Sequence, residues 1–278
     1  MSAAWQPYDC ESREEVNRLL ERERVLNELL RGPLPPGIGL PAEAQVLHIA
    51  CGPGTWIYLL VLNHPSLLVT GIDKSAYFLQ CARHYLAGLD NITLQEYDIR
   101  TERGFLPERT FDLVHMRFLA AELPLTVLPE VIAELVKSCK HGSYLYWTEC
   151  EFPMTNSQPC EQLLSYILHA LEVCGRGYAP TCNTLGITAY MSHWLRGAGC
   201  RLTQNLAYAL DISAGMPAHH AFVRQTRVFS QQFRPLAIEA GIVPYEVYDT
   251  ATAQALEEMR GADFCGVLFM RSMVAVAP

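Results

Sequence analysis

A glycine-bearing turn, and an acidic residue about 20 positions beyond it, are the first candidates for chemistry. The turn Cys51-Gly52-Pro53-Gly54 separates an apolar run from an apolar helix-like stretch. Glycines at such a place let a ligand approach the backbone closely, and the free N–H groups at a helix start bind polar ligand atoms. Asp73 ends the next apolar run, 19 residues after Gly54. A carboxylate at that spacing accepts hydrogen bonds from two ribose hydroxyls; a helix N-cap is the alternative.

A second acidic residue, Asp98, follows the third apolar run. Its carboxylate can accept a hydrogen from the exocyclic amine of adenine while Ile99 packs on the ring, and an ordinary turn residue is the alternative. The two acids therefore favour an adenosine-bearing ligand. A nicotinamide dinucleotide fits less well, because its fingerprint has a third glycine for close helix–strand packing, and Ile57 stands at that position.

These residues need a scaffold that brings strand ends together, and the hydrophobic pattern predicts one. Short apolar runs alternate with helical stretches from residue 45 to residue 148. This alternation predicts βαβ units and a doubly wound, mostly parallel α/β sheet. Ligands of such sheets bind beyond the carboxyl ends of the strands. The residues that fall at those ends are Gly52, Gly54, Asp73, Asp98 and His115.

Composition narrows the class of protein further. The chain has 278 residues, of which 50% are hydrophobic, so a disordered chain is excluded. The formal charge of −8 argues against a general nucleic-acid binder, because such proteins need an excess of basic residues to contact phosphates. No apolar run approaches the roughly 20 residues of a membrane span, and no signal peptide is visible, so we expect a cytoplasmic protein. The 10 cysteines have no zinc-ligand spacing, so we expect no metal site. In the cytoplasm their thiols would stay reduced.

Five sequence blocks together resemble the class I S-adenosylmethionine-dependent methyltransferases of the natural-product, small-molecule type. They lie within residues 40–152 and read VLHIACGPGTW, GIDKS, YDI, FDLVHMRFLAAELP and PEVIAELVKSCKHGSYLYWTE. The resemblance implies a Rossmann-like, seven-stranded sheet with an antiparallel last strand and a helical N-terminal lid. The domains would be the lid, residues 1–36, and the methyltransferase domain, residues 37–278, with substrate-pocket insertions at about 153–200 and 212–248.

The resemblance also implies S-adenosyl-L-methionine as the cofactor and assigns residues to it. Asp73, with Lys74 beside it, would hold the ribose, and Asp98 and Ile99 would hold the adenine. His115 would lie near the sulfonium. The remaining residues implied to contact the cofactor are Tyr8, Ala50, Cys51, Gly52, Gly54 and Met116.

Two positions depart from the family pattern. The family usually has Asp or Glu where this chain has His48, and Gly where it has Ala50. Ala50 adds a methyl group where the backbone approaches the ligand, and His48 replaces a group that organises the loop. These departures keep a second function open, in which a protein of this fold binds the cofactor without transferring methyl, as a cyclase-like catalyst or a regulator.

The first expectation is methyl transfer to an oxygen or nitrogen atom of a small molecule, in secondary metabolism. The enzyme would act as a monomer or homodimer, without nucleic-acid or membrane partners. A base is needed only if the acceptor carries a proton of high pKa. His115 is then the nearest candidate catalytic residue by position, and a structural hydrogen bond is its alternative. Glu149 and Glu151 end the fifth strand and alternate in direction, so one of them can face the acceptor.

Overall fold

The computed structural model describes residues 11–278 except residues 103 and 182. It divides the chain into two compact units. The sheet unit contains residues 26–150, 188–208 and 270–278, and the helical unit contains the described residues up to 25 together with 151–187 and 209–269. The described part of the predicted lid, residues 11–36, is thus divided between the two units.

The strands are close to those that the apolar runs predict. In chain order they are β1 (Gln45–Ile49), β2 (Leu68–Asp73), β3 (Ile92–Glu96), β4 (Phe111–Arg117), β5 (Cys139–Cys150), β6 (Met154–Thr155), β7 (Arg201–Asp211) and β8 (Gly266–Val276). The described residues therefore form eight strands and not the predicted seven. The additional strand is β6, whose two residues are too few to show any periodicity.

The sheet unit is built on parallel pairs, as predicted. Its strands follow the order β3-β2-β1-β4-β5-β8, with β7 also pairing with β8. The pairs among the first five strands are parallel, and β8 runs antiparallel to β5. This order places β1 and β4 side by side, which confirms a doubly wound sheet with an antiparallel last strand.

Eight helices are present among the described residues. They are α1 (Arg13–Leu30), α2 (Thr55–Asn63), α3 (Ala76–Tyr85), α4 (Leu128–Ser138), α5 (Gln158–Val173), α6 (Ile187–Gly197), α7 (His219–Glu239) and α8 (Tyr245–Glu258). In the sheet unit α3 packs on β2 and β3, and α4 packs on β4 and β5. None of the described helices combines the length and apolar character needed to cross a membrane.

The core of the sheet unit fixes α2 against the strands. Ile57 and Leu60 of α2 are completely buried, as is Val46 of β1. A Cβ atom on Gly71 would come within 2.6 Å of Ile57 Cδ1. Close packing of helix on sheet is thus provided by a glycine in β2 rather than by one in α2, so the turn that begins α2 is held firmly at the sheet edge.

The helical unit is held by packing of α5 on α7 and α8. Tyr248 of α8 donates a hydrogen bond from its hydroxyl to the carbonyl of Ser230 in α7, over 2.7 Å. The first part of α1 belongs to this unit, where Arg18 donates two 2.6 Å hydrogen bonds to the buried carboxylate of Glu15 and one to Gln225. These contacts connect the N-terminal helix to α7.

Candidate functional site

The described residues that the sequence assigns to the cofactor all lie in the sheet unit. Tyr8 is outside the described residues, and its role stays a prediction. The loop from residue 50 to residue 54 connects β1 to α2, and Gly54 is the N-cap of α2 with a φ of 80°. Gly52 also has a positive φ, of 54°. The turn therefore uses glycine where the chain adopts a left-handed conformation.

Ala50 has the same left-handed conformation without being glycine. Its φ is 51°, and its side chain is exposed. An L-residue with a Cβ is strained there by about 1 kcal/mol or more. Although Ala50 replaces the glycine of the family pattern, its backbone keeps the left-handed conformation that glycine would adopt. The replacement therefore appears as backbone strain and not as a different loop conformation.

Asp73 joins this loop to the end of β2. Gly52 donates its backbone N–H to Asp73 Oδ2 over 2.8 Å, and Ser75 donates its N–H to Oδ1 over 2.9 Å. The alternative role as a helix N-cap falls to Ser75, whose hydroxyl accepts the N–H of Phe78. Each oxygen of Asp73 accepts one hydrogen bond, and a carboxylate oxygen can accept about two. One further acceptor site therefore remains on each oxygen.

Burial raises the pKa of Asp73, and the hydrogen bonds from Ser75 and Gly52 act against that rise. The charge of Lys74 also lowers the pKa of Asp73, and its Nζ lies 2.8 Å from Glu122 Oε2 in a partly exposed ion pair. A carboxylate that is buried yet retains acceptor sites is suited to a ligand that brings hydroxyl donors.

Asp98 has a different set of partners. Arg100 donates to both of its oxygens, from Nε over 2.8 Å to Oδ1 and from Nη2 over 2.6 Å to Oδ2, and the Arg100 backbone N–H also reaches Oδ1. A weaker contact joins Nε to Oδ2 at 3.1 Å. Burial would raise the pKa of Asp98, but the hydrogen bonds from Arg100 outweigh it and hold the pKa below its usual value. This carboxylate is close to its acceptor capacity before any ligand arrives.

Three rings lie side by side across the sheet, and a fourth ring, from α2, stacks on the middle one. His48 of β1 pairs with His115 of β4, and His115 pairs with Tyr146 of β5. The His115 ring lies 4.8 Å from those of His48 and Tyr146, and Trp56 of α2 stacks on it at 3.9 Å between centroids. Trp56 is anchored in turn, because its Nε1 donates to the carbonyl of Pro33.

Both histidines are buried with polar atoms that lack partners. His48 is 2% exposed and neither ring nitrogen has a hydrogen bond; His115 is 1% exposed and its Nδ1 has none. Burial lowers the pKa of both rings well below the usual value, with smaller contributions from Arg117 to both and from His48 to His115. The rings stay neutral near pH 7. The structure does not give His115 the access that a proton-exchanging base needs, and its catalytic role stays a prediction.

Met116 and the loop after β4 complete this edge of the sheet. Met116 is fully buried and, as the neighbour of His115 in a strand, points to the opposite face. Glu149 of β5 is 2% exposed and its Oε1 accepts two hydrogen bonds of 2.9 Å, from Trp147 Nε1 and from the backbone N–H of Leu119. Glu149 therefore fixes the loop that follows β4.

Glu151, the other acid at the end of β5, lies in the helical unit. Its Oε2 accepts hydrogen bonds of 2.6 Å from Thr184 Oγ1 and from the N–H of Gly186. Gly186 has a φ of 82°, and a Cβ there would approach Ala179 N to 2.5 Å. Glu151 thus holds a tight turn.

Two contacts were missed by reasoning from the sequence. The first is the pair of hydrogen-bonded side chains Arg100 and Asp98. Its only signal in the sequence was an Asp followed two residues later by an Arg. Glu149 binds the N–H of Leu119, which depends on how two strands and a loop meet. In the described part of the chain no group of three or more His, Cys, Asp or Glu side chains is placed to hold a metal ion.

The residues at the end of β2 fit S-adenosylmethionine. Asp73 is held at the sheet edge by two backbone N–H groups and keeps acceptor sites for two vicinal hydroxyls. The turn beside it, residues 50–54, has left-handed backbone at Gly52 and Gly54, where the lack of a side chain lets a ligand approach the backbone. Asp98 fits the adenine amine less well, because Arg100 occupies its oxygens.

Comparisons with known proteins agree with this fold. Residues 46–142 match a family described as "Methyltransferase domain". The chain is 27% identical over 241 residues to a trans-aconitate 2-methyltransferase of Methylobacterium nodulans, covering 84% of this chain and 85% of the relative. A trans-aconitate 2-methyltransferase of Azoarcus sp. is 33% identical over 117 residues, which cover 41% of this chain and 42% of the relative.

Solved structures share the fold at low sequence identity. The YcgJ protein of Bacillus subtilis has a TM-score of 0.54 at 11% identity, with 91% of this chain and 97% of that chain covered. Phosphoethanolamine N-methyltransferase 2 of Haemonchus contortus, in complex with S-adenosyl-L-methionine, has a TM-score of 0.51 at 14% identity, with 95% of this chain and 52% of that chain covered. These matches support a class I S-adenosylmethionine-dependent methyltransferase, an enzyme that uses S-adenosylmethionine as its cofactor.

Proposed function

We propose that this methyltransferase acts on a small molecule. Of the oxygen and nitrogen acceptors that the sequence allows, we propose an oxygen atom of a carboxylate. The observation that carries the proposal is the similarity to a trans-aconitate 2-methyltransferase, which extends over 84% of the chain. Trans-aconitate is a small tricarboxylic acid, and its methylation needs a carboxylate oxygen as the nucleophile. A role in secondary metabolism stays a prediction.

A carboxylate acceptor also suits the buried histidines. Carboxylic acids have pKa values near 4 and are ionised at neutral pH, so the oxygen attacks without losing a proton to the enzyme. The neutral, 1% exposed ring of His115 would serve an alcohol or phenol acceptor poorly as a base. An acceptor that arrives as an anion removes the need for one.

The work of the chain is then binding and alignment. Asp73 accepts the ribose hydroxyls on the oxygen sites that Gly52 and Ser75 leave open. When bound, the cofactor supplies a methyl group on a positively charged sulfur, which is transferred as the acceptor oxygen forms its bond to carbon and the sulfur keeps the electron pair of the bond that breaks. Glu149 positions the loop at Leu119, and alignment with exclusion of water can supply most of the rate enhancement.

We also propose that the enzyme works in the cytoplasm, as a monomer or homodimer. All eight described cysteines are free thiols, which suits a reducing compartment. Sedimentation of the purified chain tests the oligomeric state directly.

The test is methyl transfer from labelled S-adenosylmethionine to a panel of acceptors. The panel contains trans-aconitate, citrate, a monocarboxylic acid, an amine and a phenol. We expect a base-labile methyl ester on one or more of the acids, identified by mass spectrometry. Transfer confined to the amine or the phenol would contradict the proposal, and Asp73→Asn serves as the cofactor-binding control.

A further inference from the structure

The helical unit contains a cavity of about 540 Å³ that has no part in the site described above. It lies between α1, the start of α7 and the segment that follows α8. Three arginines line it, namely Arg224, Arg227 and Arg260, together with His219 and His220. One acidic residue, Glu21, also lines the cavity, so the charged side chains of the lining are three arginines and one glutamate. In a chain with a formal charge of −8, this is a local excess of positive charge.

The arginines keep donors available for a ligand. Arg224 uses its Nε for Glu21, 2.9 Å away, in an ion pair whose side chains are 44% and 37% exposed. Arg260 is paired with Glu257 over 3.2 Å, and those side chains are 55% and 78% exposed. Exposed pairs of this kind contribute little. Arg227 is exposed and has no ion pair among the described residues.

The cavity also contains a buried polar group with an open position. His219 is 8% exposed, and its Nδ1 donates to the carbonyl of Ile212 over 2.9 Å. Because Nδ1 carries the proton, Nε2 is the free end of the ring, and no described residue bonds to it. Nε2 can donate to an anion when the ring is protonated and accept from a hydroxyl when it is neutral.

The start of α7 adds a further feature that favours an anion. α7 is 21 residues long, begins at His219, has no acidic residue in its first turn and has no side chain capping it. The positive end of the helix dipole at such a start attracts anions, although the N–H of His219 itself is bonded to the carbonyl of Met216 over 3.0 Å. The arginines, the free histidine nitrogen and the helix start all belong to one unit and line one cavity.

We propose that this cavity binds a small organic anion with two or more negative groups, such as a polycarboxylate, between Arg224, Arg227, Arg260 and the start of α7. Planar guanidinium groups pair with carboxylates through two parallel hydrogen bonds. The cavity has room for an anion of about the size of a tricarboxylic acid.

Calorimetry on the full chain tests the site without relying on methyl transfer. The ligands are tricarballylate, a saturated tricarboxylate, and inorganic phosphate, with acetate as the single-charge comparison. We expect tricarballylate to bind with one site per chain, more tightly than acetate, and more weakly as salt is raised. Arg227→Gln and Arg260→Gln should each weaken binding about tenfold, because each removes charged hydrogen bonds.

Arg201→Gln is the matched control, since it removes the same charge from an exposed residue that does not line the cavity. Its affinity should equal that of the unchanged chain. As a second measurement, tricarballylate should raise the Tm of the unchanged chain and of Arg201→Gln more than that of Arg227→Gln. Absence of binding, equal binding of acetate, or affinity that survives both cavity variants would overturn the proposal.

Kinetics tests whether this site is separate from the acceptor site. Because the cavity has no part in the cofactor site, the bound acid would be an effector anion, and Arg227→Gln should lose calorimetric binding while KM and kcat for a methylated polycarboxylate are unchanged. A raised KM for the acceptor in Arg227→Gln would contradict a separate effector site. Failure of every acid as an acceptor would count against the proposed function alone.

Discussion

Asp73 and His115 hold equivalent places in the sequence pattern, each near the carboxyl end of a parallel strand, but the structure surrounds them differently. Asp73 is bonded by two backbone N–H groups and keeps two acceptor sites open. His115 is packed among Trp56, Tyr146 and His48, and its Nδ1 has no partner. Position at a strand end therefore indicates where a ligand can bind, and the neighbouring groups decide which side chain can meet it.

Asp73→Asn is expected to have the largest effect on cofactor binding. The amide keeps the shape, but its NH₂ group faces either the Gly52 or the Ser75 N–H, and the charge that attracts hydroxyl donors is lost. Charged hydrogen bonds contribute about 1.5–3 kcal/mol each, so we expect affinity for S-adenosylhomocysteine to fall about 100-fold by calorimetry.

Asp112→Asn is its matched control. Asp112 Oδ2 also accepts a backbone N–H, from Gln45 over 2.8 Å, and lies 2.7 Å from Lys140 Nζ, but it is near the opposite end of its strand. We expect it to lose stability and keep its affinity for S-adenosylhomocysteine. Equal losses of affinity in the two variants would mean that Asp73 acts only through the fold.

The second prediction concerns pH and His115. The folded pKa of this ring is lowered by burial, so below about pH 6.5 the unfolded chain binds a proton that the folded chain does not. Stability is therefore fully present above that pH and falls as the pH decreases. His115→Phe keeps a flat ring and removes the titration. By urea unfolding, the variant should lose less stability than the unchanged chain between pH 7.5 and pH 5.5.

The same variant should still transfer methyl to an acid, within about threefold of the normal rate, because a carboxylate needs no base. A loss of 100-fold or more would instead assign His115 as the base. Identical pH dependence of stability in the two chains would show that the ring titrates normally in the fold.

Much of the sheet was predictable because buried parallel strands must be apolar runs. β1, β2 and β4 lie within two residues of the predicted segments at each end. β5 was predicted from Ser143, but it begins at Cys139 because the pairing with β4 shifts register there and Gly142 turns through a φ of 77°. A register shift leaves no periodic signal.

The side-chain partners at the site were not predictable in the same way. The contact of His48 with His115 depends on the pairing of β1 with β4, two strands that are distant in the chain. The capture of Asp98 by Arg100 depends on one side-chain conformation among several. The spacing of the sequence located both carboxylates. Only the structure shows that Asp73 keeps acceptor sites for a ligand while Arg100 fills those of Asp98.

The third prediction uses Ala50, whose left-handed φ of 51° strains a residue with a Cβ. Ala50→Gly removes that strain but increases the freedom of the unfolded chain. We expect a net gain of about 0.5 kcal/mol in the free energy of unfolding. Ala42→Gly is the control, because Ala42 is also exposed and the structure gives it no positive φ. A loss of stability at position 50 equal to that at position 42 would show that the turn is not strained.

The smallest effect is expected at Asp98. Because Arg100 already fills its oxygens, an adenine amine can gain little from this carboxylate, and Asp98→Asn should weaken binding of S-adenosylhomocysteine by less than about threefold. Arg100→Gln is the complementary change, since it frees those oxygens and should leave the affinity equal or higher. A tenfold loss in Asp98→Asn would mean that the ligand displaces Arg100 when it binds. The two strand-end carboxylates would then act alike in binding, although their partners in the structure differ.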